Sequence, residues 1–136
     1  MELSIAHVCI LVKDFNEATK FYRDILDLEV TRETEANRGT PGAFRTADYQ
    51  IGNFVLELMA PTGPDSTILN RTLEKRGEGL HHYCYKVSDM DTVIKRCQAA
   101  GIRLVDSFGD VVKLGGTNAY TDPRVTHRTL VQFLPK

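Results

Sequence analysis

His7-Val-Cys-Ile-Leu-Val-Lys-Asp14 and His82-Tyr-Cys-Tyr-Lys-Val-Ser-Asp89 are two versions of one phrase, set 75 residues apart. Each opens on a histidine and runs through an apolar-rich stretch of strand character. Each then reaches an aspartate able to accept hydrogen bonds from the free N–H groups of a helix start. After Asp14, Glu17 completes a capping-box pattern, and Ala18, Phe21, Tyr22 and Ile25 recur at the three-to-four spacing of a buried stripe. After Asp89, the stripe is Val93, Ile94 and Cys97, and Ala100-Gly101 marks its end, because glycine adopts the left-handed cap conformation cheaply.

Strand-like runs follow both helices. They are Leu28–Thr31, Phe44–Ile51 and Phe54–Met59 in the first copy, then Ile102–Ser107, Asn118–Tyr120 and Thr129–Leu134 in the second. The chain therefore reads as one α+β domain over 1–136, with a βαβββ module at 1–60, a connector at 61–80 and a second βαβββ module at 81–136. In the connector, Pro-Thr-Gly-Pro breaks the preceding strand, and a short helix capped by Asp65 runs through Glu74 to Gly77. A small sheet with one helix cannot bury both faces. The two modules are expected to pair as a half-barrel enclosing a cleft.

Composition excludes several functional classes. With 42% apolar and 26% charged residues the 136-residue chain has an average globular make-up. Its 17 basic and 18 acidic residues are interleaved, which leaves no patch for nucleic acid. No apolar run reaches the roughly 20 residues of a membrane span, and MELSIAHVCILVKD carries no basic region ahead of a cleavage site, so a cytoplasmic location is expected. The odd cysteine count, Cys9, Cys84 and Cys97 with no CxxC spacing, argues for reduced thiols.

Alternation along a strand puts His7 on the face of Cys9 and His82 on the face of Cys84. In the last strand of each module one strongly polar residue interrupts an apolar run, Glu57 in FVLELMA and Gln132 in TLVQFLP. The same 50-residue step leads from His7 to Glu57 and from His82 to Gln132. Pairing of the modules about a pseudo-two-fold axis would bring all four to one divalent cation. Two imidazoles, one carboxylate and one amide oxygen, without thiolate, suit Zn2+, Co2+, Ni2+, Mn2+ or Fe2+. Four protein ligands leave two octahedral positions for substrate oxygens or water, and the net positive charge favours an enolate or enediolate. Thr46, Asp48 and Gln50 share one face of the third strand. Asp48 is the only carboxylate there and is the second acid/base candidate beside Glu57. Cys9 and Cys84 read as buried structural thiols near the site, and His81 as pointing away from it toward the connector helix.

These features resemble the vicinal oxygen chelate superfamily, which includes the glyoxalase, bleomycin resistance and dioxygenase families. Within it, Leu56-Glu-Leu-Met-Ala-Pro, Gly63-Pro-Asp-Ser and Leu73-Glu-Lys-Arg-Gly-Glu-Gly-Leu-His-His82 are similar to the methylmalonyl-CoA epimerases. The resemblance implies a metal-dependent epimerase or isomerase acting on a carbon acid. It also implies a small-molecule substrate of the acyl-CoA kind and a homodimer. The metal positions of that family fall on His7, Glu57, His82 and Gln132. The last is a departure, because the family's final strand offers Glu there, and a Gln ligates through its carbonyl oxygen but does not accept a proton. Lys113-Leu-Gly-Gly-Thr and His127-Arg128 also depart from the family's loops. The same superfamily admits a glyoxalase-type lyase, a ring-cleaving dioxygenase and a non-catalytic resistance protein as alternatives.

Overall fold

A computed structural model describes residues 1–136. In chain order the elements are β1 (Leu3–Leu11), α1 (Phe15–Asp24), β2 (Arg32–Ala36), β3 (Phe44–Ile51), β4 (Phe54–Pro61), α2 (Thr67–Arg76), β5 (Gly79–Val87), α3 (Met90–Ala99), β6 (Leu104–Val105), β7 (Ala119–Thr121) and β8 (Leu130–Pro135). The βαβββ repeat is present twice, with α2 between the copies. The strands follow the order β2-β3-β4-β1-β5-β8-β7-β6. No helix is long and apolar enough to cross a membrane.

Both aspartates of the repeated phrase start their helices. Asp14 Oδ1 accepts from the Glu17 N–H at 2.9 Å, and Asp89 Oδ1 accepts from the Thr92 N–H at 2.9 Å. The buried stripe of α1 differs from expectation. Phe15, Ala18 and Tyr22 face the core, whereas Phe21 and Ile25 are 53% and 68% exposed. Both stripes satisfy helical spacing, and the core selects the one beginning at Phe15, the first helical residue. The second strand also lies later than expected. Leu28 packs on the core and Thr31 donates from both its N–H and its hydroxyl to the Asp48 carbonyl, so pairing begins at Arg32 instead of Leu28. Ser66, not Asp65, occupies the cap of α2, and its hydroxyl accepts from the Thr62 N–H at 2.8 Å.

Packing divides the chain into two compact units, Val8–His81 and Met1–His7 with His82–Lys136. The division runs through β1 and β5, and the connector belongs with Val8–His81.

In Val8–His81, β2, β3 and β4 pair antiparallel. Alternation gives β3 and β4 two different faces. Ala47, Tyr49, Leu56, Leu58 and Ala60 form a core with Phe15 under α1. On the opposite face Met59 clusters with Cys9, Leu11 and the α2 residues Leu69 and Leu73. Thr46, Asp48 and Glu57 share that second face by register and alternation. A fully buried leucine such as Leu58 contributes roughly 2 kcal/mol by leaving water, which fixes the register and with it the direction in which Glu57 points.

In the other unit β5 runs parallel to β8, and β7 pairs antiparallel with β8 and with β6. Val87, Met90, Val93, Ile94 and Ala119 form its core under α3, with Tyr85 and Phe133 packed against them. Alternation then places Cys84, Tyr120 and Gln132 on the face away from α3, in register across three strands. Each unit thus carries one apolar face under its helix and one face bearing the polar residues singled out by the repeat.

Candidate metal centre

His7 and His82 come together. Their Nε2 atoms are 2.9 Å apart, with ring centroids at 5.1 Å and planes at 76°. His82 is 3% exposed and also meets the Tyr120 ring edge-on, centroid to centroid at 5.6 Å. Burial lowers the pKa of His7, the neighbouring Gln132 opposes that shift, and the charge of Lys86 adds to it. Neutral imidazoles are the form that ligates a metal. Two nitrogens bound at about 2.1 Å and at right angles on one ion sit about 3 Å apart, which is the separation found here.

Gln132 supplies a second indication. It is 6% exposed, its Nε2 donates to Asn118 Oδ1 at 2.8 Å, and its Oε1 is buried without a hydrogen-bond partner. It lies near enough to His7 to favour the imidazolium form, yet makes no well-formed hydrogen bond to it. A buried carbonyl oxygen without a donor costs about 1–3 kcal/mol unless a cation or water satisfies it. Two facing imidazoles and an orphaned amide oxygen in one unit therefore fit a divalent ion.

In Val8–His81, Glu57 stands directly opposite Asp48 across β3 and β4. Burial pushes its carboxyl up to about 7. The Cys9 thiol holds it lower by hydrogen bonding, the Asp48 charge raises it further, and Arg32 lowers it. Burial also raises the Asp48 carboxyl, and the register partner Arg32 counteracts this. Asp48 Oδ1 is a second buried oxygen without a partner. Gln50 has turned to the hairpin, donating to the Gly52 and Phe54 carbonyls at 2.9 and 3.1 Å. Burial and the nearby Glu57 and Asp48 charges hold the Cys9 thiol well above its ordinary range, so it stays protonated. His81 lines a small cavity with Thr72 and Arg76 of α2, and burial beside Arg76 pushes it down to about 4.

The loop ahead of β7 is built around Gly115-Gly116. The Gly115 N–H donates to Asp91 Oδ1 at 2.7 Å, while a Cβ on Gly116 would lie 2.5 Å from Val112 Cγ1 and 3.0 Å from the Lys113 carbonyl. Gly116→Ala is expected to destabilise the protein by about 2 kcal/mol through this overlap. An unchanged urea midpoint would contradict the close packing. His127 and Arg128 both take positive φ, 55° and 69°, in the turn before β8, where a β-carbon costs energy that glycine avoids. Asn118 and Tyr120 were not singled out by the sequence as site residues. Tyr120 reaches the site by standing opposite Gln132 across β7 and β8, a pairing that no local pattern encodes, and nothing in the sequence marks Asn118.

A family model described as the Glyoxalase/Bleomycin resistance protein/Dioxygenase superfamily matches residues 6–120. The chain belongs to that superfamily. Among this superfamily member's relatives, the Bacillus subtilis (strain 168) protein YqjC is 30% identical over 93% of the chain and 88% of its own length. The ethylmalonyl-CoA/methylmalonyl-CoA epimerase of Cereibacter sphaeroides is 33% identical over 74% of the chain and 73% of its length. The mitochondrial methylmalonyl-CoA epimerase of Mus musculus is 30% identical over 80% of the chain, and the match spans 58% of that protein. The solved methylmalonyl-CoA epimerase of Mycobacterium tuberculosis superposes with a TM-score of 0.74 at 23% identity, covering 96% of this chain and 86% of that one, which shows a common fold.

Proposed function

We propose that this superfamily member holds one divalent metal ion through His7, His82, Gln132 and Glu57, and catalyses epimerisation or isomerisation at a carbon acid next to a carbonyl or thioester. The observation that carries the reading is the pair of imidazole nitrogens at 2.9 Å, one on the buried His82 and one on the half-buried His7, with the partnerless Gln132 Oε1 beside His7. The equal spacing of His7 to Glu57 and His82 to Gln132 supports Glu57 as the fourth ligand and its only carboxylate. Named epimerases among the relatives support the reaction class and an acyl-CoA as the substrate class. The donor set suits Co2+, Zn2+, Ni2+, Mn2+ or Fe2+.

When bound, the ion supplies Lewis-acid neutralisation of the oxygen charge that develops as the α-proton leaves. The proton itself is handled by side chains. Epimerisation requires a group to remove a proton from one face of the carbon and another to return one to the opposite face. Glu57 is one such group: in the ion-free chain burial raises its carboxyl to about 7, and a bound ion would lower it and favour the carboxylate form that accepts a proton. Asp48 is the second group, since burial favours its protonated form and its Oδ1 has no competing partner. Gln132 orients and ligates but does not take up a proton, so the acid/base work falls on the carboxylates of β3 and β4.

The test is exchange in deuterium oxide. Protein, Co2+ and (2R)- or (2S)-methylmalonyl-CoA are expected to show deuterium at the α-carbon. Asp48→Asn is expected to slow this exchange by roughly 100-fold or more while leaving ion binding intact. Absence of exchange with several epimerisable acyl-CoA substrates would refute the assignment.

A further inference from the structure

The orientation of the Gln132 amide is set by residues outside the proposed ligand group. Asn118 Nδ2 donates to Ser107 Oγ at 2.8 Å, which leaves Asn118 Oδ1 as an acceptor on its other side. That oxygen receives the Gln132 Nε2 donor at 2.8 Å. With its nitrogen so held, Gln132 turns its carbonyl oxygen the other way, into the buried position near His7 where it has no hydrogen-bond partner. The opposite orientation would set two amide oxygens against one another at Asn118 and aim an NH2 group at the imidazoles. An NH2 group is a donor and repels a cation, whereas the carbonyl oxygen is a ligand.

We infer that Asn118 is a positioning residue for the metal centre: anchored by Ser107, it fixes the Gln132 amide with its oxygen directed at the ion. The inference rests on the metal reading above and deepens it. A glutamate at position 132 would offer an oxygen in either orientation and would need no such partner. A glutamine does need one, and Asn118 supplies it through the loop that Asp91 and Gly116 hold in place. Partners of this kind, hydrogen-bonded to a ligand's far side, typically alter metal affinity by roughly 10- to 100-fold when removed.

The experiment titrates Co2+ alone into purified wild type, Asn118→Ala, Asn118→Asp and Gln132→Ala, by calorimetry and by the visible absorption of the bound ion. Thermal unfolding of each ion-free protein is recorded alongside. Wild type is expected to bind one equivalent. Asn118→Ala is expected to bind roughly 10-fold more weakly or worse, with an altered absorption spectrum. Asn118→Asp retains an acceptor for Gln132 Nε2 and is expected to stay within a few-fold of wild type. A merely structural role for Asn118 would lower the ion-free melting temperature of the alanine variant and leave its spectrum unchanged. Equal affinity and spectrum in wild type and Asn118→Ala would overturn the inference, as would equal losses in the alanine and aspartate variants. Failure of the wild type to bind any ion would instead bring down the metal reading itself, and this inference with it.

Discussion

His82→Ala is expected to lower the affinity for Co2+ by more than about 100-fold, beyond the range that follows from losing a hydrogen-bonding neighbour of a ligand. The residue is buried at 3% exposure and contributes one of two nitrogens held 2.9 Å apart. Alanine also leaves a void, so the ion-free melting temperature must be measured with the affinity. His82→Gln, closer in volume, separates the two effects because it keeps the packing while exchanging an imidazole for a weaker donor. The measurement is calorimetric titration together with elemental analysis of the purified proteins. Wild-type affinity in a folded His82→Ala protein would remove the imidazole pair from the metal centre.

The second large effect concerns Glu57 in the ion-free protein. Its carboxyl has an ordinary value of 4.5 and stands at about 7 in the folded chain. Below pH 4.5 it is protonated both folded and unfolded, and it imposes no penalty. As pH rises from there to about 7, the unfolded chain releases the proton while the folded one retains it, so stability is lost across that window and levels off above it. The shift corresponds to about 3 kcal/mol at most. Glu57→Gln removes this dependence and is expected to be more stable than wild type above neutral pH, with chelator present. His81 acts in the opposite sense over an overlapping range. Its pKa, depressed to about 4 from 6.5, makes stability fall as pH drops through that interval. The difference between wild-type and variant urea midpoints, taken at acid and at mildly alkaline pH, isolates Glu57. Parallel profiles for the two proteins would show that the carboxyl is not held in a dry environment.

Glu57→Gln should also weaken ion binding at pH 8, where wild type gains affinity by shedding its proton to the solvent. Glutamine at this position would thus stabilise the empty protein and impair the loaded one. A buried group kept at a cost to the fold is the ordinary signature of a functional position.

Much of the architecture was legible because the repeat carries two independent signals, the histidine phrase and the 50-residue step to a polar residue in an apolar strand. Both aspartate caps and the limits of β3 followed from local chemistry, since a carboxylate before a helix and an alternating apolar run each have one economical solution. Less was legible where two local solutions compete. Phe21 and Ile25 satisfy the same helical period as Phe15 and Tyr22, and only the core decides between them. The start of β2 depends on Thr31 reaching the Asp48 carbonyl, a contact across 17 residues that no local pattern encodes. Asn118 was missed for a similar reason. Its part is defined by two hydrogen bonds to residues 11 and 14 positions away, and an isolated asparagine near a glycine pair reads as turn chemistry.

Residues 1–7 pack with residues 82–136, while the 74 residues between them, Val8 to His81, form a unit of their own. On a ribosome the segment carrying His7 emerges long before the strands it joins, and must wait, unpaired, through synthesis of everything in between.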